Sequence, residues 1–148
     1  MKYEINEGTL ALIPEEESSR VLEDKYEYVV ESTPYEVMDY SCKYFGSSYH
    51  GRKDGAKTML GINYKVPIIV EDSKNIIMFP TTSPQDEECI WVAVNHIKNY
   101  HENETGTTII FDNEKQIKIP ISYRSIDNQI LRARSLESVL RQRKTKNE

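Results

Sequence analysis

The apolar residues of this chain come in short runs, and the longest, Cys89-Ile90-Trp91-Val92-Ala93-Val94, has six members. Runs of this length, rich in Ile, Val and Tyr and bounded by polar turns, are what buried strands require. They are too short for the roughly 20 apolar residues that cross a bilayer. A chain of 148 residues built this way fits one domain of mixed strand and helix.

The runs set out the expected order. Tyr3-Glu4-Ile5 and Thr9-Leu10-Ala11-Leu12-Ile13 read as strands joined by a turn at Asn6-Glu7-Gly8, followed by strands at Arg20-Val21-Leu22 and Tyr26 to Val30. Thr33, Pro34 and Glu36 form a helix start: a cap, a first-turn proline and a glutamate three residues after the cap. The spacing predicts a helix over about 34–45 with Val37, Tyr40, Tyr44 and Cys42 facing inward, ended by Gly46. Further strands are expected at Val66 to Val70, Ile76 to Phe79, Cys89 to Val94, Thr107 to Phe111 and Gln116 to Ile119. Helical spacing returns after a cap at Ser125, with Ile126, Ile130, Leu131, Ala133, Leu136, Val139 and Leu140 as the inner stripe of a helix over about 126–143. The fold class is therefore α+β, mostly antiparallel sheet and hairpins with a middle and a C-terminal helix. One domain is expected over 2–143, with a frayed polar end over 144–148.

Composition excludes some classes and leaves others. Two cysteines, Cys42 and Cys89, build no disulfide framework, and no charged-then-apolar leader opens the chain. A cytoplasmic protein without membrane contact is expected. The net charge of -5 hides a block pattern: residues 1–40 carry -8, residues 41–67 carry +4, residues 68–120 carry -5, and residues 121–148 carry +4. Such a chain presents a local cationic face on an acidic body.

The first basic block contains the segment Cys42 to Lys57, with three glycines, three aromatics, two serines and His50, Arg52, Lys53 and Lys57. Glycines let a main chain approach a ligand closely. Ser47 and Ser48 offer hydroxyl and amide donors to phosphate oxygens, and the residue types Tyr49, His50, Gly51, Arg52 and Lys53 suit a loop pressed into a negative groove. A narrow A·T minor groove concentrates negative potential and draws inserted arginine. Arg132 and Arg134, outside the apolar stripe of the last helix, are further candidates for phosphate contact.

Phe45-Gly46-Ser47-Ser48-Tyr49-x-Gly51-Arg52-Lys53-x-Gly55, preceded by Cys42, resembles the hallmark of the ComK family of competence transcription factors. Similar stretches follow in the same order at Pro67 to Val70 with Ile77 to Thr81, at Cys89-Ile90-Trp91, and at Pro120 to Ser125 with Asn128-Gln129. The resemblance implies a DNA-binding activator. It would read paired A/T-rich boxes of duplex promoter DNA through the minor groove and assemble as a homo-oligomer. It would promote genes of DNA uptake and recombination, with RNA polymerase as a further partner. Longer members carry an aromatic tail read by an adaptor of the Clp protease; nothing after Arg143 resembles it, so adaptor–Clp control is not carried over. The alternative expectation is a protein-interaction module that pairs with a full-length relative and titrates it.

Other chemistries are poorly supported by spacing. His96 and His101 lack a zinc-type companion and no Cys-x-x-Cys occurs, so neither metal nor cofactor is expected. The Gly46–Gly55 stretch has no Gly-Lys-Ser/Thr ending, which excludes a P-loop. No nucleophile–base pairing is legible, and no catalytic residue is assigned. The ten tyrosines are read as half-buried sheet residues, and His50 as a polar neighbour of the backbone.

Overall fold

In the computed structural model, which describes residues 2–146, strands β4 (Ile68–Glu71), β5 (Ile76–Pro80) and β6 (Trp91–Ala93) are buried throughout. Their side chains alternate between two cores, as the two-residue period of a strand demands. Ile69, Ile77, Phe79 and Val92 point into one, and Ile68, Met78, Trp91 and Ala93 into the other. A sheet covered on both faces reads as continuous apolar runs.

These strands extend into β1 (Thr9–Glu15), β2 (Ser18–Glu23) and β3 (Glu27–Val30), giving the order β3-β2-β1-β6-β5-β4 with every pairing antiparallel. Helix α1 (Pro34–Tyr44) covers one face through Val37, Met38 and Cys42. The other face is covered by α3 (Tyr123–Lys146) and by a second antiparallel sheet. That sheet consists of β7 (Ile97–Glu102), β8 (Thr107–Phe111) and β9 (Gln116–Ile119), in that order. The architecture is the expected α+β mix with mainly antiparallel strands and a C-terminal helix.

Several local readings are corrected. The largest correction is the glycine-rich segment, which forms helix α2 (Tyr49–Leu60) and not a loop. Tyr49 enters the core shared with α1, while Ala56, Met59 and Leu60 pack on the core shared with α3. Helix α2 therefore runs beside edge strand β4 and links the two layers. Residues 3–5 form no strand; the Ile5 amide instead donates to Ser41 Oγ on α1 at 3.0 Å. On α1 the inner face is Val37, Met38, Ser41 and Cys42, whereas Tyr44 is 58% exposed. Helix α3 starts at Tyr123, three residues before the expected Ile126, because Ser122 and not Ser125 caps it, its Oγ accepting the Ser125 amide at 3.2 Å. Leu131 lies off its buried stripe, and the helix continues through 144–146, where fraying was expected; the last two residues of that expected end lie outside the described residues. Tyr26, Tyr28, Tyr35, Tyr44, Tyr64 and Tyr123 are exposed, so most tyrosines are not half-buried sheet residues.

Candidate nucleic-acid interface

Two helix boundaries build the cationic corner. The capping box at the start of α1 is present: Thr33 Oγ1 accepts the Glu36 amide at 3.2 Å, and Glu36 Oε1 accepts the Thr33 amide at 2.9 Å. At its end, Gly46 takes φ +89°. The Gly46 amide donates to Lys43 O at 3.0 Å and the Ser47 amide to Cys42 O at 2.9 Å. This pair of bonds is a Schellman closure, and the left-handed residue it needs is glycine. Two residues later Ser48 is already the N-cap of α2, its Oγ accepting the Gly51 amide at 2.9 Å. The result is helix, four-residue turn, helix.

Asp39 fixes the second helix to the first. Its carboxylate accepts the Tyr49 amide at 3.1 Å and pairs with Lys43 Nζ at 2.9 Å. The Lys43 hydrogen bond holds the Asp39 carboxyl below its ordinary value, partial burial opposes that shift, and the Tyr49 amide adds to it. Below the corner, the Tyr49 ring stands edge-on to Trp91 at 6.0 Å and to Tyr35 at 4.9 Å. Burial pushes the Tyr49 hydroxyl well above its usual range.

The outward face of α2 is made of His50, Gly51, Asp54, Gly55 and Thr58. A Cβ at Gly51 would meet the hydroxyls of Ser48 at 3.2 Å and Ser47 at 3.3 Å. At Gly55 a Cβ would meet nothing within 4 Å. No internal contact requires glycine there, although a helix-interior glycine costs about 0.5–1 kcal/mol relative to alanine. Arg52, Lys53 and Lys57 flank this smooth strip and are each partly buried. The Arg52 Nε is buried without a hydrogen-bond partner, and the guanidinium charge opposes the effect of burial on Cys42, whose thiol is pushed up to about 12. Ser47 and Ser48 are half-buried, and His50 is exposed, 3.4 Å from Asp54 and not bonded to backbone as expected.

The remaining candidates separate. Arg132 donates to Tyr64 O at 3.1 Å and to Gln129 Oε1 at 3.0 Å, so it braces the loop that follows α2. Arg134 is exposed toward β7, where its charge reaches the Tyr100 hydroxyl. Helix α3 thus does not bring both arginines to the α2 strip. Sequence reasoning missed Asp39 and Gln129. Asp39 lies outside the stretches that carry the resemblance and Gln129 entered only as part of one, and each acts on a backbone group distant in the chain. Both cysteines are buried, with thiols raised by that burial, and are poorly suited to nucleophilic chemistry. Among the described residues no group of three or more His, Cys, Asp or Glu is placed to hold a metal, and no helix is long and apolar enough to cross a membrane.

Compared with known families, residues 1–145 match ComK, described as ComK protein. The chain belongs to the ComK family. A curated relative, the competence transcription factor of Bacillus subtilis (strain 168), is 37% identical over 146 residues, covering 95% of this chain and 76% of the relative. No solved structure matches the chain. The ComK hallmark therefore corresponds in three dimensions to the end of α1, the turn and the first half of α2.

Proposed function

We propose that this ComK-family chain is a competence transcription factor that binds A/T-rich duplex DNA through the α1–turn–α2 corner. The observation that carries the reading is the unfilled strip at Gly51 and Gly55, bordered by Arg52, Lys53 and Lys57. A helix interior that omits side chains on its outer face, with nothing internal to require it at Gly55, suits close approach by a nucleic-acid backbone. Ser47, Ser48, His50 and Gly51, at the turn and helix start, are the proposed phosphate contacts, whereas Tyr49, expected among them from the sequence, is buried with its amide bonded to Asp39 and supports the corner from below.

The helical form changes how a minor groove is read. A helix is about 10–12 Å across and the minor groove about 6 Å wide. The helix then lies against the groove rims while Arg52 or Lys53 reaches in from its flank. The relative's name supports the activity, and the uncovered edge of β3, where Val29 is 69% exposed, supports assembly as a homo-oligomer. RNA polymerase remains a partner by resemblance.

The test is a gel shift of the purified chain on a tandem A/T-box fragment across salt. The expected log affinity falls by about 0.9 per log salt for each phosphate neutralised. Arg52→Ala weakens binding and flattens the A/T preference, while Lys57→Gln weakens all sequences alike. Binding that appears only in mixture with a full-length relative would favour the titrating-module alternative.

A further inference from the structure

Beside α2, on the flank that carries His50 and Lys53, lies a cleft of about 320 Å³. It is walled by the start of α1 (Tyr35), the start of α2 (His50, Lys53), the loop after α2 (Tyr64, Lys65) and the β5–β6 loop (Gln85). The volume is at the low end of those that enclose small ligands. We propose that this cleft binds a nucleotide unit, a planar base together with its phosphate, either as a free mononucleotide or as an unstacked nucleotide of a single strand. The cleft shares Lys53 and His50 with the proposed duplex interface, while its tyrosine and Lys65 walls lie outside it.

Its chemistry is one-sided. Among the described residues no acidic side chain lines the cleft. Lys53 and Lys65 form no ion pair among the described residues. Two unneutralised ammonium groups, one from α2 and one from the loop that follows it, are a phosphate site in waiting. Tyr35 and Tyr64 are 48% and 64% exposed, which leaves ring surface for stacking. Tyr35 is held edge-on by Tyr49, and the Lys65 ammonium lies 5.3 Å from the Tyr64 ring centre. The side amides of Asn63 and Gln85 offer the donor–acceptor pairs that base edges use.

The wall carrying Lys65 is set in advance. Lys65 takes φ +47°, a left-handed conformation that residues with a side chain rarely adopt. Helix α3 holds it there: buried Gln129 donates to Lys65 O at 2.9 Å and to Pro80 O at 2.8 Å, and Arg132 clasps Tyr64 O. A polar residue 1% exposed and committed to two distant carbonyls fixes the cleft before any ligand arrives. The charge also reverses across Tyr35 and Gln85, which face a neighbouring cleft lined by Glu16, Glu17, Asp86 and Glu87. A phosphate is therefore directed to the Lys53–Lys65 end and the base toward Tyr35.

The experiment titrates the full chain, by calorimetry, with deoxythymidine monophosphate, deoxyadenosine monophosphate, a single-stranded oligothymidylate and inorganic phosphate. Binding of the mononucleotides assigns a free ligand, and binding of the oligonucleotide alone assigns a strand. In either case Tyr64→Ala weakens it about tenfold, the loss of one stacking partner. Lys53→Gln weakens it comparably, while Tyr26→Ala, on the opposite edge of the sheet, leaves it unchanged. The proposal is overturned if none of the nucleotide probes binds, if inorganic phosphate binds as tightly as they do, or if Tyr64→Ala changes nothing while circular dichroism reports an intact fold. A gel shift on the duplex, run in parallel with Tyr64→Ala, keeps its full affinity and so separates this site from the duplex interface.

Discussion

The two edges of the six-stranded sheet are finished in opposite ways. Strand β4 is buried along its whole length, with α2 packed beside it. Strand β3 has its first three residues exposed, and Tyr26, Tyr28 and Val29 stand at 60%, 42% and 69% exposure. Both edges border a tyrosine-bearing cleft. Near β4 the charges are Lys53 and Lys65; at β3 they are Glu4, Glu23 and Glu31 against Lys2. Aromatic surface is thus common to both edges, and charge alone sorts their partners. The charge at the first edge favours a polyanion, and that at the second opposes one. A covered edge also cannot add a strand, whereas an open one invites pairing.

The hardest way to break this contrast is from beneath. Trp91 is fully buried and supports Tyr49 at the foot of α2. Trp91→Ala should cost about 3–5 kcal/mol in urea denaturation and abolish duplex binding with it. A variant that lost stability but bound DNA normally would show that the corner does not depend on the sheet.

Asp39→Ala removes the carboxylate that fastens α2 to α1 and should cost about 1 kcal/mol at neutral pH. Because the folded carboxyl titrates below its ordinary value of 3.8, its contribution is complete above that value and is lost as pH falls through the lowered one. Thermal melts of wild type and variant should therefore converge in acid and diverge toward neutrality.

Gly55→Ala separates folding from binding. Filling open space on a helix should raise stability by about 0.5–1 kcal/mol, while the added methyl weakens the gel shift. A rise in both would show that the bare strip has no partner. The smallest effect on stability belongs to the open edge. Val29→Lys should stay within about 0.5 kcal/mol of wild type and keep duplex contact by single protomers, yet disperse homo-oligomers in sedimentation.

Much of the sheet was legible because its strands are short apolar runs that end in recognisable turns; Ile76 to Phe79 is an instance. Strand β7 was not, since only Ile97 along it is buried and a bulge interrupts its pairing with β8. The glycine-rich segment was misread for an opposite reason. Gly51 and Gly55 carry low helix propensity, but the Ser48 cap, the left-handed close at Gly61 and the packing of Tyr49 and Ala56 outweigh it. The same glycines that hid the helix are the reason its outer face is bare. The hallmark residues were identifiable in sequence, whereas the cleft with Lys65 was not, because its walls meet only when α1, α2 and the β5–β6 loop converge.

Helix α2 has its first turn seated in one layer and its last turn in the other. Such a member behaves like a rivet through two plates. Tilting it would shear the α1 layer against the α3 layer, so the corner resists deformation.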